Sequence, residues 1–372
     1  MAQRSVPFFN YPALFMQDET GLTDVVMDVL RRGAYILQKD LAEFETALAT
    51  FTGAKHAIGV ADGTNAMLLG LRALDLPPGS EVIIASHTYV ATAAAAHFAG
   101  LTPVPVDCGS DHMIDPASVE PAITPRTRVI MPTQVNGRTS DMDAIGAIAK
   151  RHNLIVAEDA AQALGSKFKG KCAGTFGAFG TFSFYPAKLL GCFGDGGAVL
   201  TNDDAIAEKV RLHHDHGRND DGIFVSWGTN SRLDNLQAAV LHYRLKSFDE
   251  AIARRRQIAS HYQEQLGDIS DLMLPPAPGS EPDHFDVFQN YEMEAGKRDA
   301  LRDHLKANGI GTLVQWSGQP VHRIKALGLD RHLPNTDRLF QRCFMLPMHL
   351  ALSDDDVAYI CDTIRDFYRR NN

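Results

Sequence analysis

Between residues 40 and 245, short apolar runs alternate with longer segments whose apolar positions recur at helical spacing. EVIIAS (81–86) is a continuous apolar run and predicts a buried strand. YVATAAAAHFAG (89–100) follows it with helical character and stops at Gly100. TPVPVD (102–107) carries two prolines, which cannot donate to a ladder, so it suits an edge strand. RVIMP (128–132), the helix-period segment 141–153 and LIVAED (154–159) then repeat the strand–helix–strand order. Short connections in that order make a βαβ unit and a parallel sheet. GTFSFYP (180–186) and GGAVLTND (196–203) predict two more strands around a glycine-rich loop.

From residue 232 the pattern changes. Residues 232–266 form a long helix-period stretch with charges on its outer face. A Pro-rich loop, PPAPGSEPD (275–283), follows it. Two further helical patterns occupy 297–309 and 353–370, and Ser353 is well placed to cap the second, ahead of three acids. These features predict an α/β protein in two parts, a large unit over 1–245 and a small α+β unit over 246–372.

A chain of 372 residues is long for one core. Hydrophobic residues make up 45% and charged residues 22%, the balance of a globular protein. Thirty-six basic residues against 45 acidic ones give a net charge of −9, which argues against a nucleic-acid partner. Five cysteines without a C-x-x-C pair argue for buried free thiols rather than a disulfide framework or a structural zinc site. The first twenty residues are interrupted by Pro7, Asn10 and Pro12 and lack the form of a signal peptide. No run approaches the ~20 apolar residues of a membrane span. The expectation is a cytoplasmic protein that does not enter the membrane.

Four local features carry candidate chemistry. Asp159 ends the LIVAED strand, and parallel sheets bind ligands at the carboxyl ends of their strands; an Asp there is also a common turn former. Lys188, in SFYPAKLLGCFGDGG, follows a strand and precedes a glycine-dense turn. A partly buried lysine loses proton affinity and becomes an amine nucleophile, although a snorkelling surface lysine fits the same pattern. DGTNA (62–66) opens an apolar helix, where Gly63 allows close approach and Thr64 offers a cap and a hydroxyl to a phosphate; an ordinary cap is the alternative. In GTNSRLDNLQAA (228–239), Asn230 and Arg232 open another helix and suit an anion, or merely a surface ion pair.

Together with SHTYVATAAA, ITPRTRVIMP, NGRTSDMDAIGAIAKRHNLIVAEDAAQALGSKFKG and HDHGR, these segments resemble the DegT/StrS family of sugar-nucleotide aminotransferases, within fold type I of the pyridoxal-phosphate enzymes. The matching stretches span roughly 40–270 in the family's order, and the C-terminal part matches more loosely. The resemblance implies a large domain with a mostly parallel sheet flanked by helices, plus a small C-terminal domain. It implies pyridoxal 5′-phosphate carried on Lys188, with Asp159 at its ring nitrogen and Gln162 at its 3-oxygen. Gly63, Thr64 and Ser183 would hold the phosphate, and Tyr89 would stack on the ring or serve as a core aromatic. Asn230 would reach the phosphate from the neighbouring subunit of a homodimer, and Arg232 would contact the substrate across the same interface. Trp316 and His322 lie in a segment that departs from the family's usual run of prolines, and would shape the sugar site.

The implied reaction takes an amino group from glutamate and places it on a keto sugar linked to a nucleotide, in the making of surface polysaccharides, glycans or antibiotic sugars. The loop GDGG, where many relatives have GEGG, together with SHTY, favours amination at C3 over C4. Two rivals share the scaffold. A sugar dehydratase of the family would have a histidine where Lys188 stands, and a non-catalytic regulator would have no need of Lys188 or Asp159. The run HHDHGR holds His213, His214 and His216, but no acid or cysteine at ligand spacing accompanies them, so no metal site is expected.

Overall fold

The computed structural model describes residues 4–371. In chain order the first strands are β1 (His56–Val60), β2 (Glu81–Ala85), β3 (Thr102–Val106), β4 (Thr127–Met131), β5 (Ile155–Asp159), β6 (Lys167–Phe168), β7 (Lys171–Cys172), β8 (Phe179–Ser183) and β9 (Gly197–Thr201). All but β6 and β7 join one sheet of order β1-β9-β8-β5-β4-β2-β3, in which only β9 runs against its neighbours. The α/β architecture with a mostly parallel sheet is present. The proline-bearing β3 lies at the sheet edge, where Pro103 and Pro105 interrupt the fewest ladder bonds.

Both faces of the sheet are covered. Val82 and Ile84 point into one apolar cluster, with the helices Gly63–Ala73 and Val90–Phe98. Ile83 and Ala85, one residue out of phase, point into another with Ile145 and Ile148 of the helix Met142–His152. That double burial is why these strands read as continuous apolar runs rather than alternating ones.

The long stretch 232–266 is two helices, Asn235–Leu245 and Phe248–Leu266, broken at Ser247. The second serves two cores: Phe248 and Ile252 pack with Phe44 and Phe184, while Ile258 and Leu266 pack in a C-terminal cluster with Met293, Phe344 and Ile360. That cluster surrounds a small antiparallel sheet of β10 (Leu272–Met273), β12 (Tyr291–Ala295) and β13 (Cys343–Leu346). The remaining strand, β11 (His284–Phe285), pairs with β6 and so stitches the C-terminal part to the large sheet's side. Val6 also belongs to the C-terminal cluster, and its N–H donates to Gly309. Val6 thus packs with the C-terminal part.

Ser353 caps the helix Asp354–Asn371 as expected: its Oγ accepts from the Asp356 N–H, and the Asp356 carboxylate accepts from the Ser353 N–H in return. All five cysteines are buried and unbridged. No helix among the described residues is long and apolar enough to cross a membrane.

Candidate active site

The carboxyl ends of β5 and β8 open into a cavity of about 750 Å³, lined among others by Asp159, Ser183, Lys188, Gly63, Thr64, Tyr89 and Gln162. Residues far apart in sequence are brought together here, because parallel strands deliver all their carboxyl ends to one edge.

Asp159 forms the floor. Its Oδ2 accepts from Thr92 Oγ1 at 2.6 Å, and its Oδ1 accepts from the Ala161 N–H at 3.2 Å. Thr133 donates to Thr88 at 2.9 Å, and Thr88 lies 2.6 Å from Thr92, so one chain of hydroxyls can point toward the carboxylate. Burial pushes the Asp159 carboxyl up; Thr92, the Ala161 N–H and Lys188 pull the other way.

Lys188 follows β8 in a tight turn, its N–H bonded to the Tyr185 carbonyl. Burial lowers its ammonium to about 8, although Asp159 opposes that shift. About a tenth of the side chain is therefore neutral amine near pH 7, far more than for an ordinary lysine, and the neutral form is the one that nucleophilic and basic work needs.

One end of the cavity lies at the N-terminus of the helix Gly63–Ala73. The expectation that Thr64 caps this helix is corrected: Asp62 is the cap, its Oδ1 accepting from the Asn65 N–H and its Oδ2 from the Asn65 side chain. The Asp62 carboxylate is thereby spent on Asn65, and the N–H groups of Gly63 and Thr64 are left for an anion. A Cβ on Gly63 would stand 2.8 Å from Ser183 Cβ, and one on Gly197 would stand 2.4 Å from the Asp62 carbonyl carbon. Only glycines let these three chain segments close into a cradle. Amine, carboxylate and cradle together fit pyridoxal phosphate.

The walls are looser. Tyr89 is half exposed, 54%, and stands ahead of the helix Val90–Phe98. The Gln162 carbonyl accepts from the Asn136 N–H at 2.7 Å, which leaves its amide nitrogen as the group available to the cavity. Trp316, at φ +50°, closes the far side, and Asp195 of the glycine loop reaches the same space. Beyond Lys188 lies a smaller cavity of about 180 Å³ with Phe8, Phe9, Leu313, Met345 and Met348 in its wall; Gln162, Tyr185, Lys188 and Trp316 border both spaces.

Three expected residues stand apart from this cavity. His322 is buried, with Nδ1 2.6 Å from Ser86 Oγ and Nε2 3.1 Å from Asp337, so both ring nitrogens are engaged in joining β2's end to the helix Pro334–Arg342. Asn230 is exposed on a short bridge to Asp215, and Arg232 Nη1 pairs with Asp215 Oδ1 at 3.0 Å. Of the three neighbouring histidines, His214 is buried with Nδ1 on the Arg211 carbonyl, and His216 sits at φ +61°.

Sequence reasoning missed the threonine chain and Gln289, whose side-chain amide bonds the Ala187 carbonyl and the Leu189 N–H on either side of Lys188. Thr88 and Thr92 lie inside SHTYVAT, and their i, i+4 spacing at a helix start was a readable sign. Gln289 had no such sign; it reaches the Lys188 loop only through the tertiary fold.

The model of the DegT/DnrJ/EryC1/StrS aminotransferase family matches residues 17–365. The chain is 38% identical to dTDP-3-amino-3,4,6-trideoxy-alpha-D-glucose transaminase of Streptomyces venezuelae, over 98% of this chain and 97% of the relative. It is 38% identical to UDP-2-acetamido-2-deoxy-3-oxo-D-glucuronate aminotransferase of Pseudomonas aeruginosa, over 90% and 93%. The crystal structure of S. venezuelae DesV superposes with a TM-score of 0.93 at 38% identity, covering 98% of each chain.

Proposed function

The chain belongs to the DegT/DnrJ/EryC1/StrS aminotransferase family and is a pyridoxal-phosphate-dependent aminotransferase; from that premise we propose that it moves an amino group from glutamate to the C3 keto group of a nucleotide-linked deoxy or acetamido sugar. The observation that carries the reading is a partly buried Lys188, with its ammonium lowered to about 8, sharing one cavity with the buried Asp159. Several relatives, among them the two named above, are named for amino transfer to nucleotide-linked sugars, and both of those names place the nitrogen or the oxo group at C3.

Bound pyridoxal phosphate supplies an exchangeable aldehyde and a ring that accepts the electrons released at carbon. The rest falls to this chain. Gly63, Thr64 and Ser183 hold the phosphate, the first two through a helix N-terminus. Asp159 keeps a proton on the ring nitrogen, and an anionic carboxylate does so because the cationic partner offsets its burial. The Gln162 amide donates to the ring's 3-oxygen, and Tyr89 covers a ring face. Lys188 Nζ, once free, takes the proton from the donor's α-carbon and returns it on the acceptor side. Asn230 and Arg232 act in the partner's site of a homodimer, and Trp316 bounds the sugar.

The lysine disfavours the dehydratase, and the intact Lys188–Asp159 pair disfavours the regulator. The test is a panel of keto sugar nucleotides with glutamate as donor, followed by product NMR. The expected result is a yellow protein bleached by glutamate and an amine at C3. No amination of any sugar by a protein that binds the cofactor overturns the reading.

A further inference from the structure

Lys188 sits in a loop, yet its reactive atom must be placed to about an ångström. The main chain on either side of it is gripped by one side chain. Gln289 Nε2 donates to the Ala187 carbonyl at 2.9 Å, and Gln289 Oε1 accepts from the Leu189 N–H at 2.6 Å. The orientation of the amide follows from these partners, since a flip would set donor against donor and acceptor against acceptor. Gln289 is buried, while the loop it grips is partly buried and borders the smaller cavity.

Gln289 is itself held from behind. The guanidinium of Arg255, buried without a carboxylate partner among the described residues, donates to the carbonyls of Phe288 and Gln289 at 3.1 and 2.6 Å. The Val287 N–H donates to Gly137, and a Cβ on Gly137 would lie 2.6 Å from the Gln289 nitrogen. The next residue, Asn290, donates to Asn136 Oδ1 at 3.0 Å, and Asn136 in turn donates its N–H to Gln162. Two adjacent residues of the C-terminal part thus reach both the Lys188 loop and the anchor of Gln162.

We propose that Gln289 is a positioning residue for Lys188, fixing the root of its side chain by holding the main chain on both sides of it. This rests on the reading that Lys188 carries the cofactor and moves the proton. Gln289 does not contact the amine. Without it, the Ala187 carbonyl and the Leu189 N–H must find other partners, the root of the side chain is free to shift, and an amine displaced from its buried position regains affinity for a proton.

The test compares wild type with Gln289→Met, which keeps length but makes neither bond, and Gln289→Glu, which can still accept from Leu189. In the cofactor-free protein, acylation of Lys188 is followed by peptide mass spectrometry between roughly pH 6 and pH 10. The wild-type midpoint should fall near 8, and that of Gln289→Met should rise by about one unit. With cofactor, kcat of Gln289→Met should fall ~10- to 100-fold while KM stays within about twofold, and Gln289→Glu should fall less. An unmoved midpoint, or a loss of activity explained by the unfolded fraction alone, overturns the role. Borohydride trapping in the wild type checks the underlying assignment separately. A trap on another residue overturns the place of Lys188 and this proposal with it, whereas a trap on Lys188 with an unmoved midpoint overturns only Gln289.

Discussion

Thr92 Oγ1 donates to Asp159 Oδ2 at 2.6 Å, so the carboxylate expected to face a ring nitrogen is already oriented by a hydroxyl in its own chain. A carboxylate can accept several bonds, and one of its oxygens is fixed without using up the other. The hydroxyl is in turn within reach of Thr88, to which Thr133 donates. Asp159→Asn should slow removal of the donor's α-proton by several powers of ten, because a neutral amide gives a pyridinium no charge to pair with. Thr92→Val should cost ~10-fold in the same step, since it leaves the charge but loosens its aim. Exchange of glutamate's α-hydrogen with deuterated solvent, followed by NMR, measures both. Equal losses in the two variants would mean that the threonine matters as much as the charge, against this ranking.

A second expectation concerns pH. His112, at φ +67°, places Nδ1 3.0 Å from Glu292 and Nε2 3.2 Å from Glu294. Asn136 and Gln315 also donate to Glu292, His87 lies against it, and Arg338 and Arg342 donate to Glu294. Burial opposes a charge on His112, but the two carboxylates win and raise it to about 9. Burial likewise opposes the charge on Glu292, and the neighbouring histidines hold it well below the usual carboxylate range. A raised histidine contributes its full stability below its unfolded value of about 6.5, and loses it as pH rises through about 9. The lowered Glu292 contributes above its unfolded value of about 4.3 and loses its share as pH falls below that. Stability should therefore decline on the alkaline side from about pH 6.5. His112→Gln should cost about 3 kcal/mol at pH 6 and much less near pH 10, because it strands buried carboxylates that the charged ring had paired. Urea unfolding across pH measures this, and a cost independent of pH would refute it.

How far this site could be read beforehand follows from the range of its interactions. Lys188 and Asp159 sit in runs whose strand, turn and glycine signals are all local, and they meet where parallel strands end. The edge position of β3 was legible because proline removes a donor. Two-residue strands such as β6, β7 and β11 carry no periodicity, so no pattern marks them. Val6 packs with residues more than 250 positions away, which no window of sequence reveals. His322 was drawn toward the sugar by its neighbourhood in sequence, yet its ring is spent on Ser86 and Asp337. His322→Phe should consequently affect stability more than substrate KM.

Assembly gives a third test. Arg232 and Arg218 both hold Asp215, which fixes the turn that carries Asn230 on the exposed side of the chain. Neither Asn230 nor Arg232 lines this chain's own cavity. If they serve a partner's site, an inactive Lys188→Ala chain mixed with an inactive Asn230/Arg232 double variant should regain one good site per heterodimer. Activity is read after the chains are exchanged and the heterodimer is isolated. Heterodimers with no activity would show that the sites are not shared.

The last expectation concerns which carbon receives nitrogen. Asp195, in the GDGG loop, lines the same cavity as Lys188 and Trp316 and is exposed to it. The glutamate common at this place in the family is one methylene longer, a difference of about 1.5 Å. Reaction geometry tolerates about an ångström, so a carboxylate withdrawn by that much leaves the sugar ring room to seat differently over the lysine. Asp195 has a second possible role, merely ordering the glycine loop, and the two roles predict different results. If Asp195 sets the sugar's register, a nucleotide-linked 3-keto sugar is aminated far faster than the matching 4-keto sugar, and Asp195→Glu narrows that ratio by ~10-fold or more through a shift in KM and kcat together. If it only orders the loop, Asp195→Glu lowers both rates alike and the ratio stands. Side-by-side kinetics on the two sugars, with the amine placed by NMR, separate the cases; a wild-type preference for the 4-keto compound would remove this loop as a sign of regiochemistry.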